Sequence, residues 1–138
     1  MLVSTRGRYA LRIMLELGKY NPDQYISLPQ IAKNQEISEK YLELIVSSLV
    51  KAGIIDGMRG KNGGYRLKKS LSDYSVGEVL RITEGSLAPV SCLEKGDNAC
   101  PRAGECQTLP MWQKLDDLIN GYLDSVKLSD LQSDKIIC

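Results

Sequence analysis

Residues 37–67 read ISEKYLELIVSSLVKAGIIDGMRGKNGGYRL, and their hydrophobic pattern changes character halfway along. In the first half Ser38 caps a helix, with Glu39 in the first turn, where its charge suits the helix dipole. Leu42, Ile45, Val46 and Leu49 form an apolar stripe at helical spacing, and Gly53 stands where a C-terminal cap belongs. In the second half Ile54-Ile55 and Tyr65-Arg66-Leu67 read as two short strands. The link MRGKNGG between them carries glycines at 60, 63 and 64, which supply the positive φ that tight hairpins need.

The flanks extend the pattern. Upstream, Tyr9, Ala10, Ile13, Met14 and Leu17 predict a helix over 5–20, broken by Asn21-Pro22-Asp23. Ser27 caps a short helix with Pro29 in its first turn and Ile31 and Ala32 facing inward. Glu36-Ile37 is a short turn into the helix capped by Ser38. The order is helix, helix–turn–helix, β-hairpin. Downstream, Ser75-Val76-Gly77-Glu78 reads as a capping box opening a fourth helix, which Gly85 ends. Residues 86–106 are polar, aperiodic and cysteine-bearing. A long helix follows, with Thr108 as cap, Pro110 in the first turn, and Leu109, Trp112, Leu115, Ile119, Tyr122 and Val126 along one side. The expected fold is mainly α with a small β-hairpin wing: a winged helix–turn–helix over 1–85, a cysteine loop over 86–107, and a long C-terminal helix with its tail over 108–138.

Composition narrows the function classes. The 138 residues are 43% hydrophobic and 25% charged, with no Phe and one Trp, ordinary globular values for a core of Leu, Ile, Val, Met and Tyr. No apolar run approaches the roughly 20 residues of a membrane span, so no membrane role is expected. The first residues interleave charge with apolar residues, unlike a signal peptide, which makes the cytoplasm the expected compartment. With no His and no paired carboxylates in a recognisable cleft, no general base or nucleophile stands out beyond the thiols, and no enzyme is expected. The net charge of +1 hides an asymmetry: residues 1–70 hold 12 Lys+Arg against 6 Asp+Glu, and residues 71–138 hold 6 against 11. The basic half suits a polyanion such as double-stranded DNA.

A helix–turn–helix presents the N-terminal end of its second helix to the major groove. Here that end offers Ser38 and Lys40 as donors to bases or phosphates, and Tyr41 for a phosphate oxygen. Glu43, one turn on from Glu39, can accept from cytosine N4 or repel phosphate. At the hairpin tip, Arg59 and Lys61 stand among glycines, with Arg66, Lys68 and Lys69 down the returning strand. Such a thin tip fits a minor groove about 6 Å wide, where Arg is favoured. Arg6 and Arg8 can touch the backbone flank or simply solubilise the first helix. A nucleotide-phosphate loop is ruled out, because the GxxxxGK[ST] spacing is missing and the loop joins two strands.

Cys92, Cys100 and Cys106 follow the spacing C-x7-C-x5-C within a loop holding Gly96, Asp97, Asn98, Pro101 and Gly104. Thiolates are soft anionic donors suited to iron–sulfur clusters and zinc. Three of them leave one position open, which is incomplete for structural zinc. Free redox thiols, a disulfide and incidental cysteines are the competing readings, and three cysteines within 15 residues of a chain with four argue against the last. Cys138, at the end of the tail, reads as an incidental thiol.

Taken together, STRGRYALRIMLEL at 4–17, ISEKYLELIVSSLVKAGII at 37–55, RGKNGGYRL at 59–67, SVGEVLRITEG at 75–85, the three cysteines and Trp112 resemble the IscR-like family of bacterial winged-helix regulators, whose relatives include CymR-like and NsrR-like proteins. The resemblance implies a homodimer joined through the long C-terminal helix, a partly palindromic operator, and cluster ligation by Cys92, Cys100 and Cys106. Leu109 stands where the IscR subgroup has a His ligand, and Arg8 where the NsrR subgroup has an acidic one. The fourth ligand stays open among Cys138, Glu43, Glu105, a small molecule and water. Leu44 replaces a polar base-contacting residue of the IscR pattern. The expected function is that of a repressor sensing an iron–sulfur cluster, [2Fe–2S] with [4Fe–4S] as the alternative, and controlling iron–sulfur biogenesis or cysteine metabolism genes. A cluster-free regulator switched by thiol oxidation or by a partner, such as a cysteine-biosynthesis or cluster-assembly protein, is the second reading. A small iron–sulfur electron carrier or scaffold is the third, and the basic hairpin argues against it.

Overall fold

A computed structural model describes residues 3–94 and 100–132. Its helices are α1 (Thr5–Leu17), α2 (Leu28–Gln35), α3 (Glu39–Lys51), α4 (Val76–Glu84), α5 (Leu109–Ser125) and α6 (Leu128–Gln132). The strands are β1 (Ile55–Met58) and β2 (Gly64–Leu67), and short 3-10 turns lie at Leu71–Asp73 and Ser91–Leu93. The predicted order of helix, helix–turn–helix and β-hairpin is observed. No described helix is long and apolar enough to cross a membrane.

Serine hydroxyls set most of the helix starts. Ser4, Ser27, Ser38 and Ser75 accept from the backbone N–H of Gly7, Gln30, Tyr41 and Glu78 respectively. Each such cap stabilises its helix by about 1 kcal/mol. The capping box at Ser75 is half made, because the Glu78 carboxylate turns away to Lys69, 3.8 Å off. Thr108 differs from expectation: its side chain makes no cap hydrogen bond and meets Cys106 Sγ instead, at 3.4 Å. The turn between α2 and α3 runs through Glu36 in the left-handed region, φ 54°. Its N–H donates to the α2 carbonyls of Ala32 and Lys33.

The core lies where α1, α3 and α4 meet. Ala10, Ile13, Met14, Leu42, Ile45, Val46, Leu49 and Val79 have no solvent exposure, and burial of each large apolar side chain contributes about 1.5–3 kcal/mol. One buried charge accompanies them. Glu16, 1% exposed, accepts from Asn34 and Gln35 of α2 and from Lys19 and Tyr20. Burial pushes this carboxyl up. The hydrogen bonds from Asn34, Lys19 and Gln35 and the Lys19 charge outweigh that effect and hold it below the usual value. The Glu16 cluster therefore steadies α1 against α2 above the ordinary carboxylate range, and that contribution is lost as pH falls through the lowered value.

The hairpin is antiparallel, pairing Ile55 with Leu67, Asp56 with Arg66, Gly57 with Tyr65 and Met58 with Gly64. Ile26 forms an additional bridge to Tyr65, so the segment before α2 pins the wing's returning strand. The long helix α5 ends at Ser125, one residue short of Val126, which is extended. The chain then turns back: Lys127 bridges Ser75, and Leu128 of α6 is wholly buried in the same core.

Candidate nucleic-acid interface and thiol loop

The buried stripe of α3 points inward, so its opposite side faces solvent beside the wing. Between them runs a groove of about 820 Å³, lined by Glu43 and Ser47 of α3, Pro29 of α2, and Met58, Arg59 and Lys61 of the wing. Arg59 and Lys61 are exposed and have no ion pair or hydrogen bond to the described residues. Gly60 (φ +109°) and Gly64 (φ +152°) allow the tight tip, and a Cβ on Gly64 would overlap the Ile26 carbonyl. Only glycine permits the Ile26 bridge to approach so closely.

The returning strand behaves differently. Arg66 lies 3.6 Å from Asp56 and over the Tyr25 ring at 4.5 Å. Lys68 shares the same Asp56 at 3.7 Å. Lys69 pairs with Glu78 and lies 4.8 Å from the centre of the Tyr74 ring. Beneath them the Tyr74 hydroxyl, fully buried, donates to the Ile54 carbonyl at 2.7 Å and accepts from the N–H groups of Lys68 and Lys69. Of the five wing cations read from the sequence, the two at the tip are thus uncommitted and the three at the root belong to the fold.

Ser38 and Lys40 are exposed at the start of α3. The Ser38 oxygen is engaged as the cap acceptor, and its hydroxyl hydrogen remains for an outside acceptor. Tyr41 is half-buried, its ring edge-on to Tyr9 at 5.8 Å. Arg8 is exposed in the first turn of α1 and donates to the Thr5 hydroxyl.

The thiol loop joins α4 to α5. Cys92 lies in the 3-10 turn, Cys106 lies just before α5, and all three loop cysteines are partly exposed. The Thr108 hydroxyl and the backbone N–H groups of Thr108 and Leu109 draw the Cys106 thiol below its usual pKa, with Arg102 adding charge. The donors suit a soft metal centre, but the structure does not gather them: among the described residues no three Cys, Asp or Glu side chains group closely enough to hold a metal ion. Of the candidate fourth ligands, Glu43 lines the wing groove, Glu105 is exposed beside Cys106, and Cys138 lies outside the described residues.

Sequence periodicity merged two faces of α5. Ile119 and Leu123 pack on the core. Met111, Leu115, Leu118 and Tyr122 form a separate exposed apolar face. A polar latch the sequence did not signal fastens this helix to α4. Arg81 reaches both carboxylate oxygens of Asp124, at 2.7 and 2.9 Å, and Asn120 at 2.7 Å. Arg81 holds the Asp124 carboxyl below its usual range. Gly77 makes room, since a Cβ there would overlap Asp124.

A capped recognition helix beside a glycine-tipped cationic wing defines a winged-helix DNA-binding regulator. Residues 3–134 match the Rrf2 family, described as iron-dependent transcriptional regulators, and the chain belongs to that family. It is 38% identical over 133 residues to the HTH-type transcriptional regulator CymR of Bacillus subtilis, covering 96% of this chain and 91% of that protein. The structure of CymR, the global cysteine regulator of B. subtilis, superposes with a TM-score of 0.75 at 37% identity, over 96% of this chain and 97% of that one. The HTH-type transcriptional regulator IscR of Photobacterium profundum is 35% identical over 134 residues, covering 97% of this chain and 77% of that protein. T. potens IscR superposes with a TM-score of 0.74 at 33% identity, over 99% and 89% of the two chains. These relatives are regulators and not enzymes, as expected for this chain.

Proposed function

We propose that the chain acts in the cytoplasm as a homodimeric, sequence-specific repressor whose operator occupancy follows the state of Cys92, Cys100 and Cys106. The carrying observation is the groove between α3 and the wing, with Arg59 and Lys61 uncommitted at its rim. Phosphate backbone fits such a groove, and α3 can then lie in the major groove while the tip enters the minor groove. The exposed face of Met111, Leu115, Leu118 and Tyr122 supports pairing through α5, and a two-fold dimer reads a partly palindromic operator. The organisation follows: head 1–85, thiol loop 86–107, dimerisation helix and tail 108–138.

The finer reading is an iron–sulfur cluster on the three thiolates, [2Fe–2S] or [4Fe–4S], with iron–sulfur biogenesis or cysteine metabolism genes as targets. Three soft donors, the iron-dependent description of the family and the IscR relatives support it. Anaerobic purification followed by iron and sulfide assay tests it. Matched iron and sulfide is expected, with Cys92→Ala losing the iron and keeping its circular dichroism spectrum. Full iron in that variant sinks the ligand assignment. The partly exposed thiols, not gathered into one group in the structure, support a second reading, a switch by thiol oxidation or by a partner from cysteine biosynthesis or cluster assembly. It predicts colourless protein whose DNA binding depends on reductant.

A further inference from the structure

The outermost line of α3 is Lys40, Leu44, Ser47 and Lys51, spaced four, three and four residues apart and set opposite the buried Leu42, Ile45, Val46 and Leu49. Leu44 is 63% exposed at the middle of that line. Its carbonyl accepts from the Ser48 hydroxyl, and its isobutyl group projects from the helix face without a core position. A single exposed leucine is ordinary on a protein surface; what singles out Leu44 is its place at the centre of the α3 face that lies beside the wing groove. Lys40 and Lys51 on the same line are exposed, as are Glu39 and Glu43 beside it, so a partner fitting this face offers anionic groups to the lysines, donors to the carboxylates and an apolar spot to Leu44. A major groove meets that description, because phosphates flank it and the one apolar group on its base edges is the C5-methyl of thymine.

Resting on the proposed DNA-reading role of α3, we infer that Leu44 reads a thymine methyl in each operator half-site. Leucine has no donor or acceptor, so it cannot distinguish the polar edges of A, G or C. Its discrimination comes from burying one methyl group against another. Glu43, the next residue toward the wing groove, can accept from a cytosine N4 amine. Cytosine beside that thymine is therefore the favoured local sequence, with the Leu44 contact setting the thymine.

The experiment begins with selection of a bound sequence from a random duplex pool by the full-length dimer. Each thymine of the selected site is then replaced singly by deoxyuridine, which keeps every hydrogen-bonding group and removes only the methyl. One thymine per half-site is expected to bind about fourfold weaker as deoxyuridine, and both together about fifteenfold weaker, the scale of one buried methyl per half-site. In Leu44→Ala the same replacement is expected to change affinity by less than about 1.5-fold, with sensitivity at other positions kept. Absence of a uracil-sensitive thymine, or an undiminished loss in Leu44→Ala, overturns the inference while leaving the DNA-reading role intact. A chain that enriches no sequence overturns both.

Discussion

Five cations lie along residues 59–69 of the wing, and the two at the tip differ from the three at the root in what they touch. Arg59 and Lys61 meet solvent. Arg66 and Lys68 share Asp56, Arg66 also lies over the Tyr25 ring, Lys69 pairs with Glu78, and the backbone N–H groups of Lys68 and Lys69 donate to the Tyr74 hydroxyl. A linear sequence gives these residues the same weight. The fold divides them, because root cations pair with carboxylates while tip cations form no ion pair among the described residues, and only uncompensated charge exchanges with the counterions of a phosphate backbone.

Four substitutions break or sharpen this contrast. Gly64→Ala is the largest. The added methyl meets the Ile26 carbonyl at a φ that alanine disfavours, so the Ile26–Tyr65 bridge opens. Urea unfolding is expected to show a loss of about 3 kcal/mol. Retained stability would mean that the root does not depend on that bridge. Tyr74→Phe comes next. It leaves the Ile54 carbonyl and two backbone N–H groups without their shared partner, and about 2 kcal/mol is expected to disappear in the same assay. The smallest effects come from a matched pair. Arg59→Ala is expected to weaken DNA binding about tenfold with stability unchanged within about 0.5 kcal/mol. Arg66→Ala is expected to cost about 0.5 kcal/mol of stability and to change DNA affinity by less than about twofold. Equal affinity losses in the two variants would erase the distinction between tip and root.

Local signals in the sequence carried most of the fold. Serines at 27, 38 and 75 and glycines at 53 and 85 act within a turn or two of chain, so their caps and stops are readable residue by residue. The wing was readable for the same reason, since Gly60 and Gly64 take positive φ as hairpin glycines should, although Gly63, expected to do the same, does not. Long-range polar partners were not readable. Ser4 donates to Glu84 across 80 residues, Arg81 meets Asp124 across 43, and the buried Glu16 looks like any helix-surface carboxylate until α2 supplies its donors. Period alone also placed Ile119 and Tyr122 on one side of α5, although one enters the core and the other faces outward. Among candidate site residues, the exposed line of α3 followed from its apolar stripe, whereas the sorting of the wing cations required the partners at Asp56 and Glu78.

The latch between Arg81 and Asp124 has a mechanical consequence. It grips α5 near its last turn, while Cys106 lies just beyond the opposite end. A 17-residue helix is about 25 Å long at 1.5 Å per residue. The latch and the thiol therefore stand at opposite ends of one rod, with Leu109 buried at the thiol end and Ile119 and Leu123 packed on the core between them. Under the proposed thiol switch, a tilt of about 5° would carry the thiol end about 2 Å over that length, and Arg81 would pass that motion to α4.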